Sequence, residues 1–289
     1  MEYIIHLTIL ILIYSILAQS LNLTIGLGRL FNFAHAAAYA LGAYAAALGS
    51  TQFGLGPAAC IVGSAAVSGG FALLLGGIAL RLAGDYFAIG TLAFSAIVSA
   101  LLVNWRSVTN GVLGITSIPR PEFFGAVLSD NADFLIFAAL LSSAALSALY
   151  LLFRSPFARV LRAHAEDPLA AMALGRNVQG AAACAFVISS LFAGAAGALF
   201  AYYFNYIDPS SFSLAETIFL LSIVVVGSPG SFWGCLAATA FLVLLPESLR
   251  FIDLPSAVLG PLRQLIQSVV LLLVIWHNRA RLFPTRREV

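Results

Sequence analysis

The residues that could do chemistry are few and scattered. Across 289 residues there are 12 acidic groups, 4 histidines and 3 cysteines. No His-Glu-x-x-His or Cys-x-x-Cys occurs, and Cys60, Cys184 and Cys235 each stand alone in an apolar run, so neither metal nor redox chemistry is expected. The glycine-rich stretch Gly-Ser-Pro-Gly-Ser (227–231) has no lysine and no strand before it, which excludes a phosphate loop. Ser228 lacks the Gly-x-Ser-x-Gly frame of a hydrolase nucleophile. The carboxylates stand at the ends of apolar runs rather than paired on one helix face. With no catalytic constellation, the chain is expected not to be an enzyme.

What remains is a set of polar groups inside apolar segments. An ionisable side chain at membrane depth costs about 2.5–3.5 kcal/mol on insertion scales, which makes each one a functional candidate. The candidates for a solute path are Asn22, Asn32, His35, Asp85 and Glu216. Each has a structural reading as well. Glu216 is either a pore-facing carboxylate or a helix N-terminal carboxylate near the outer surface, favoured by the helix dipole. Asp85 fits a helix start paired with Arg81, four residues earlier. His35 is either pore-lining or satisfied by a backbone carbonyl, and Asn22 and Asn32 also suit interhelical hydrogen bonds.

The third feature is FRSPFARVLRAHAEDPLAAMALGRNVQG (153–180), a polar stretch between oily ones. Glu166 and Asp167 before Pro168 mark a helix start, with acids at the positive dipole end and proline in the first turn. Leu169, Met172 and Ala173 then share a face, and Gly175 is placed to end the helix. So short a helix is not stable alone. It must rest on a protein partner or on lipid headgroups, where Arg154, Arg159 and Arg162 would hold it.

These features must be positioned by membrane spans. Hydrophobic residues make up 61% of the chain and charged ones only 9%, and the mean hydropathy is +1.00. A soluble domain carries about 25% charged residues. The apolar runs are continuous rather than alternating, so the spans are helices, not barrel strands. With about 20 residues as the ruler, about nine spans fall near 4–25, 31–49, 57–80, 86–103, 132–153, 181–203, 214–228, 231–246 and 258–277. The seventh and eighth are either two full helices or broken half-helices meeting at 227–231. The first is expected to be an uncleaved helix, because no basic segment precedes it. No polar stretch is long enough for a soluble core.

The 14 basic residues are all arginine. With 153–180 and the tail 278–289 inside, ten arginines fall inside (29, 81, 154, 159, 162, 176, 279, 281, 286, 287) and four outside (106, 120, 250, 263). The N-terminus is then outside, the C-terminus inside, and loop 104–131 external. That loop has turn residues and two arginines, and suits either a docking surface or a cap on the bundle. Small residues crowd AHAAAYALGAYAAALG (34–49) and FAGAAGALFAYY (192–203), where they allow close helix packing.

Five segments in order carry a resemblance to a known family: residues 20–48, 81–98, 104–121, 166–175 and 186–234. The Glu-Asp-Pro-Leu-Ala-Ala-x-Ala-Leu-Gly stretch (166–175) resembles the coupling loop of ABC importer permeases, and the set resembles the branched-chain amino acid permease family of the LivM type. The resemblance implies a transmembrane subunit paired with a second permease. Two cytoplasmic ATPase chains would bind ATP and Mg, and a periplasmic solute-binding protein would deliver the solute. It assigns ATPase coupling to Arg162, Glu166, Asp167, Leu169, Ala170, Ala171, Leu174 and Gly175. It implies a bacterial inner-membrane location, contact with lipid, no nucleic acid partner, and no cofactor in this chain. Urea, short amides and aromatic acids are carried within the same family, and an ion-coupled secondary transporter is the rival of another class. Ser228 and Pro229 stand where the family has glycines, and Asn110-Gly111 where it commonly has Gly-Gly.

Overall fold

The computed structural model describes residues 2–79, 85–123, 126–127, 130–248 and 256–277. The tail 278–289, Arg81, Arg250 and the Asp85 side chain lie outside them, so the expected Arg81–Asp85 pair does too. The helices in chain order are α1 (Glu2–Asn22), α2 (His35–Thr51), α3 (Pro57–Ala79), α4 (Asp85–Asn104), α5 (Arg106–Thr109), α6 (Asn131–Arg154), α7 (Pro156–Glu166), α8 (Pro168–Ala173), α9 (Val178–Phe204), α10 (Leu214–Val226), α11 (Phe232–Ser248) and α12 (Ser256–His277). A two-stranded antiparallel pair, Glu122–Phe123 with Ala126–Val127, decorates the 104–131 loop. Five helical stretches are long and apolar enough to cross a membrane: Glu2–Leu27, Pro57–Gly77, Tyr86–Asn104, Asn131–Arg154 and Val178–Phe204. Shorter apolar helices lie at Leu214–Val226, Phe232–Glu247 and Leu265–Trp276.

Side-chain size sorts the helices. The Ala- and Gly-rich α2 and α9 form the centre with the second half of α1, while α3, α4 and α6 present Leu73, Leu74, Ile89, Ile97, Ile136 and Leu140 outward. In lipid such residues need no cover, and close packing goes to the helices without bulk. A Cβ on Gly42 of α2 would overlap the backbone of Gly194 of α9, and one on Gly197 would overlap Tyr39 and Ala43. The alanine-rich second span, weak by hydropathy, is therefore the most enclosed element rather than a marginal one.

Contacts define two ends of the bundle. At one, the start of α1 meets the end of α9, with His6 stacked on Tyr203 at 5.6 Å and Phe134 of α6 on Tyr203 at 5.3 Å. The 104–131 loop is clipped to the chain after α9: Ile115 bridges Ile207, and Asn205 donates to the Ile118 carbonyl at 2.7 Å. At the other end, Leu23, Leu27, Phe153, Ala158, Leu161 and Ala185 form a separate apolar cluster that includes α7. There α1 runs on into a π-helical turn, Leu23–Leu27.

One span departs from expectation. After α9 the chain does not stay on the surface; Phe212, ending a 3-10 turn Pro209–Phe212, packs on Tyr39 at 5.0 Å and Phe200 at 5.7 Å, inside the bundle. Helix α10 begins only after this dip and has 13 residues, about 20 Å at 1.5 Å per residue. It is shorter than the membrane-length helices, whereas the expected half-helix arrangement had two short helices meeting at 227–231. The break lies at 205–213 and not at the 227–231 turn, which sits beside the last turns of α1. Short apolar length alone does not reveal a dip, because Ile207, Pro209 and Phe212 read as loop punctuation in the sequence.

Candidate functional site

Three features are joined along one side of the bundle: an exposed apolar helix, a helix junction and a polar cavity. The exposed helix and its support lie in 154–178. Ser155 caps α7 by accepting from the Ala158 amide, with Pro156 in the first turn. This 11-residue amphipathic helix was not anticipated from the sequence, where Arg159 and Arg162 masked the Ala158, Leu161 pair that it buries. Helix α8 matches the expectation: Asp167 Oδ1 accepts from the amides of Leu169 (2.9 Å) and Ala170 (3.0 Å), and Gly175 closes it at φ +73°. Ala171 alone turns inward, at 4% exposure, while Leu169 is 75% and Leu174 82% exposed. Ala170, Met172, Ala173, Gly175, Glu166 and Arg162 are exposed as well. The result is an apolar knob held out on a capped, anchored platform. On α7, the ring of His164 has a buried Nδ1 without a partner, and burial lowers its pKa below the ordinary histidine value.

The platform rests on the helix junction. Leu161 packs against Leu23, Leu27 and Phe153, and Phe232 of α11 borders the same cluster. Next to Leu23, Asn22 holds the turn between α10 and α11: its Oδ1 accepts from the Gly230 amide at 2.8 Å and its Nδ2 donates to the Ser231 carbonyl at 3.1 Å. Gln19 adds Nε2 to the Phe232 carbonyl at 2.6 Å. Gly26 lets the backbones touch, since a Cβ there would overlap Gly230 and the Asn22 side chain. Asn22 thus takes the interhelical role. Gln19 was missed, although two amides three residues apart in an apolar run fall on one helix face. Ser228 and Asn110 both have left-handed backbone, φ +65° and +58°, a conformation that glycine adopts most freely.

The cavity, of about 610 Å³, opens between α1, α10, α11 and α12. Its polar wall holds Glu216, Tyr14, Ser213, Ser222, Glu247 and Gln267. Glu216 lies against the Tyr14 hydroxyl, and its Oε1 is buried with no hydrogen-bond partner. Tyr14 stands about 18 Å along α1 from Glu2 and about 20 Å from Leu27 at 1.5 Å per residue. The carboxyl is therefore level with the middle of α1, because the dip at 205–213 carries the start of α10 into the bundle. Ser213, Ser222, Tyr14 and the dip went unnoticed in the sequence, since lone hydroxyls inside apolar runs carry no signal of depth.

The other candidates do not join this cavity. His35 is fully buried between α1, α2 and α9: Nε2 lies 3.2 Å from the Leu17 carbonyl and from Ser20 Oγ, and Nδ1 lies 3.4 Å from Ser189 Oγ. The carbonyl only accepts, so Nε2 carries the proton. Asn32 accepts from the Ala34 amide at 3.0 Å at the start of α2, with its Nδ2 buried and unpartnered. Asp85 opens α4, and its side chain is outside the described residues. Among the described residues no group of histidine, cysteine and acidic side chains is placed to hold a metal.

The chain is 36% identical to the high-affinity branched-chain amino acid transport system permease protein LivM of Escherichia coli (strain K12), over 97% of this chain and 70% of that protein. It is 35% identical to the protein of the same description from Salmonella typhimurium, over 96% of this chain and 69% of that protein. No solved structure matches the chain. The family described as branched-chain amino acid transport system / permease component matches residues 3–275, and the chain, a bundle of apolar helices with an outlying exposed helix, belongs to that family.

Proposed function

We propose that this chain is one of two transmembrane subunits of an ABC importer that moves branched-chain amino acids or related small solutes. The observation that carries the proposal is α8: a capped helix that exposes Leu169, Ala170, Met172 and Leu174 away from the bundle while α7 fixes its base. That shape suits a groove in a cytoplasmic ATPase subunit, one of two that bind ATP and Mg. Arg162, Glu166, Asp167, Ala171 and Gly175 form or frame the docking surface. Movement of α8 would pass through α7 to the π-helical turn, then through the Asn22–Gly230 junction to α10 and the cavity. Each step is a packed or hydrogen-bonded contact described above.

The same reading takes 1–289 as a single permease domain. It sets nine crossings, of which α10 is a half-helix, with residues 154–180 and the tail inside and the 104–131 loop outside. The loop clipped to 205–212 would meet a periplasmic binding protein, and the location is the bacterial inner membrane. Glu216 at mid-depth is also what an ion-coupled secondary transporter would need. Uptake of labelled leucine by the reconstituted complex separates the two. ATP-dependent uptake that needs the ATPase subunits is expected, and uptake without ATP that follows a proton or sodium gradient would overturn the proposal.

A further inference from the structure

Helix α10 starts level with the middle of α1, with its amino end open. Its N-cap, Ser213, makes no side-chain cap. The amides of Glu216 and Thr217 turn back to the Ser213 carbonyl, at 3.1 and 3.4 Å, which leaves those of Leu214 and Ala215 unpaired among the described residues. Ser213, Leu214 and Ala215 are exposed, and all three line the 610 Å³ cavity. In lipid surroundings free amides at a helix start are a cost unless something anionic meets them.

The second observation is Glu216, in the same turn and the same cavity wall. Its Oε1 is cut off from solvent with no hydrogen-bond partner. Among the described residues no arginine lines the cavity, so none of the described lining residues gives the carboxyl a cation. Around it, the Thr217 and Tyr39 hydroxyls are also buried and unpartnered. Free donors and a carboxyl with one oxygen on the Tyr14 hydroxyl and the other, Oε1, unpartnered share one helical turn, and form a pair of opposite fields a few ångströms apart. A simple anion would meet the donors but be repelled by Glu216, and a simple cation would meet the reverse. A molecule carrying both charges on one carbon satisfies both. Leu10, Phe219, Leu242 and Leu271 give the wall an apolar part beside Glu247, Gln267 and Ser222, as an aliphatic side chain requires.

We infer that the start of α10 is a way-station for the α-ammonium and α-carboxylate of a zwitterionic amino acid. Glu216 takes the ammonium, and the Leu214 and Ala215 amides with the Ser213 hydroxyl take the carboxylate. The inference rests on the proposed transport function and adds the recognising groups. The cavity is open on one side, so the second permease subunit would complete its wall.

The test is saturable binding and uptake of labelled leucine by the full transporter in proteoliposomes, with the binding protein left out of the binding arm. Unlabelled 4-methylpentanoate, lacking the ammonium, and isopentylamine, lacking the carboxylate, should each compete at least tenfold more weakly than leucine. Glu216→Gln should lower binding and uptake at least tenfold while the partner permease and ATPases still co-purify. Leu214→Pro removes one free amide at the helix position where proline fits best, so it should fold normally, shown by unchanged thermal unfolding, and lower leucine binding several-fold. Binding within twofold of wild type in both variants would overturn the inference, as would equal competition by either analogue. Loss of the partner permease from the Glu216→Gln complex would also overturn it, by making the carboxyl an interface group. If the wild-type complex takes up no amino acid, the transport proposal itself fails, and that result is visible before any variant is made.

Discussion

The junction at Asn22 makes the most quantitative prediction. Asn22→Ala removes an acceptor from the Gly230 amide and a donor from the Ser231 carbonyl, at 2.8 and 3.1 Å. Interhelical hydrogen bonds in membrane proteins average about 0.6 kcal/mol by double-mutant cycle, which sets a floor of about 1.2 kcal/mol for two. A polar group stranded inside a protein costs about 1–3 kcal/mol. Gly230 and Ser231 are only partly buried, so water can reach them in part and the lower end applies to each. The sum is about 2–3 kcal/mol. At about 2–4 °C per kcal/mol for a chain of this order of size, unfolding should fall by about 4–12 °C. Cys60 and Cys235 are buried and Cys184 is exposed, so a thiol-reactive dye on a Cys184→Ser background reports the melt directly. Thr8→Val is the control: its hydroxyl bonds only to the Ile4 carbonyl on an exposed face. Gln19→Leu should cost about 1–2 kcal/mol by the loss of its bond to Phe232, and the double variant less than the sum, because both amides hold one turn. An Asn22→Ala melt within 1 °C of the Thr8→Val control would refute the junction.

Other outcomes follow from the same geometry. Gly42→Leu must push α2 off the Gly194 backbone and should cost about 3 kcal/mol or more, whereas Gly70→Ala, with open space around its Cβ, should melt like wild type. Asp167→Ala removes the two cap bonds of α8 and should cost that helix about 1 kcal/mol, seen as a several-fold weaker grip on the ATPase subunit with no change in the melt of the bundle. Burial lowers the pKa of His164, so the folded platform holds fewer protons than the unfolded one. Its stability is therefore full above the ordinary histidine value of about 6.5 and falls as pH drops below it. ATPase association should weaken across that window, and His164→Gln should flatten the dependence.

How much was legible differs by element, for physical reasons. Helix α8 was readable to the residue because its signals are local: an acidic N-cap, a proline and a terminal glycine act within one turn. The five long spans were readable because hydrocarbon thickness fixes their length. The start of α10 was not readable, since it depends on Phe212 finding Tyr39 and Phe200 across the bundle. Glu216 stood out as a charge in an apolar run, but its depth belongs to that same distant contact. His35 and Asn22 drew notice for being polar, and the partners that define them (Leu17, Ser189, Gly230 and Ser231) are set by packing that no spacing encodes. Helix α7 was missed because its buried face is only Ala158 and Leu161, brief against a background of arginines.

The account depends above all on α8 being a seat for an ATPase and not a float on lipid. The direct measurement is a titration of the purified ATPase subunit against proteoliposomes bearing the wild-type permease pair or the Ala170→Arg variant. Ala170 is exposed on the knob and makes no side-chain hydrogen bond, so the bundle should fold and melt unchanged. The account predicts at least a tenfold loss of ATPase affinity, with ATP-dependent leucine uptake lost in step. Equal affinity and equal uptake in the variant would contradict it.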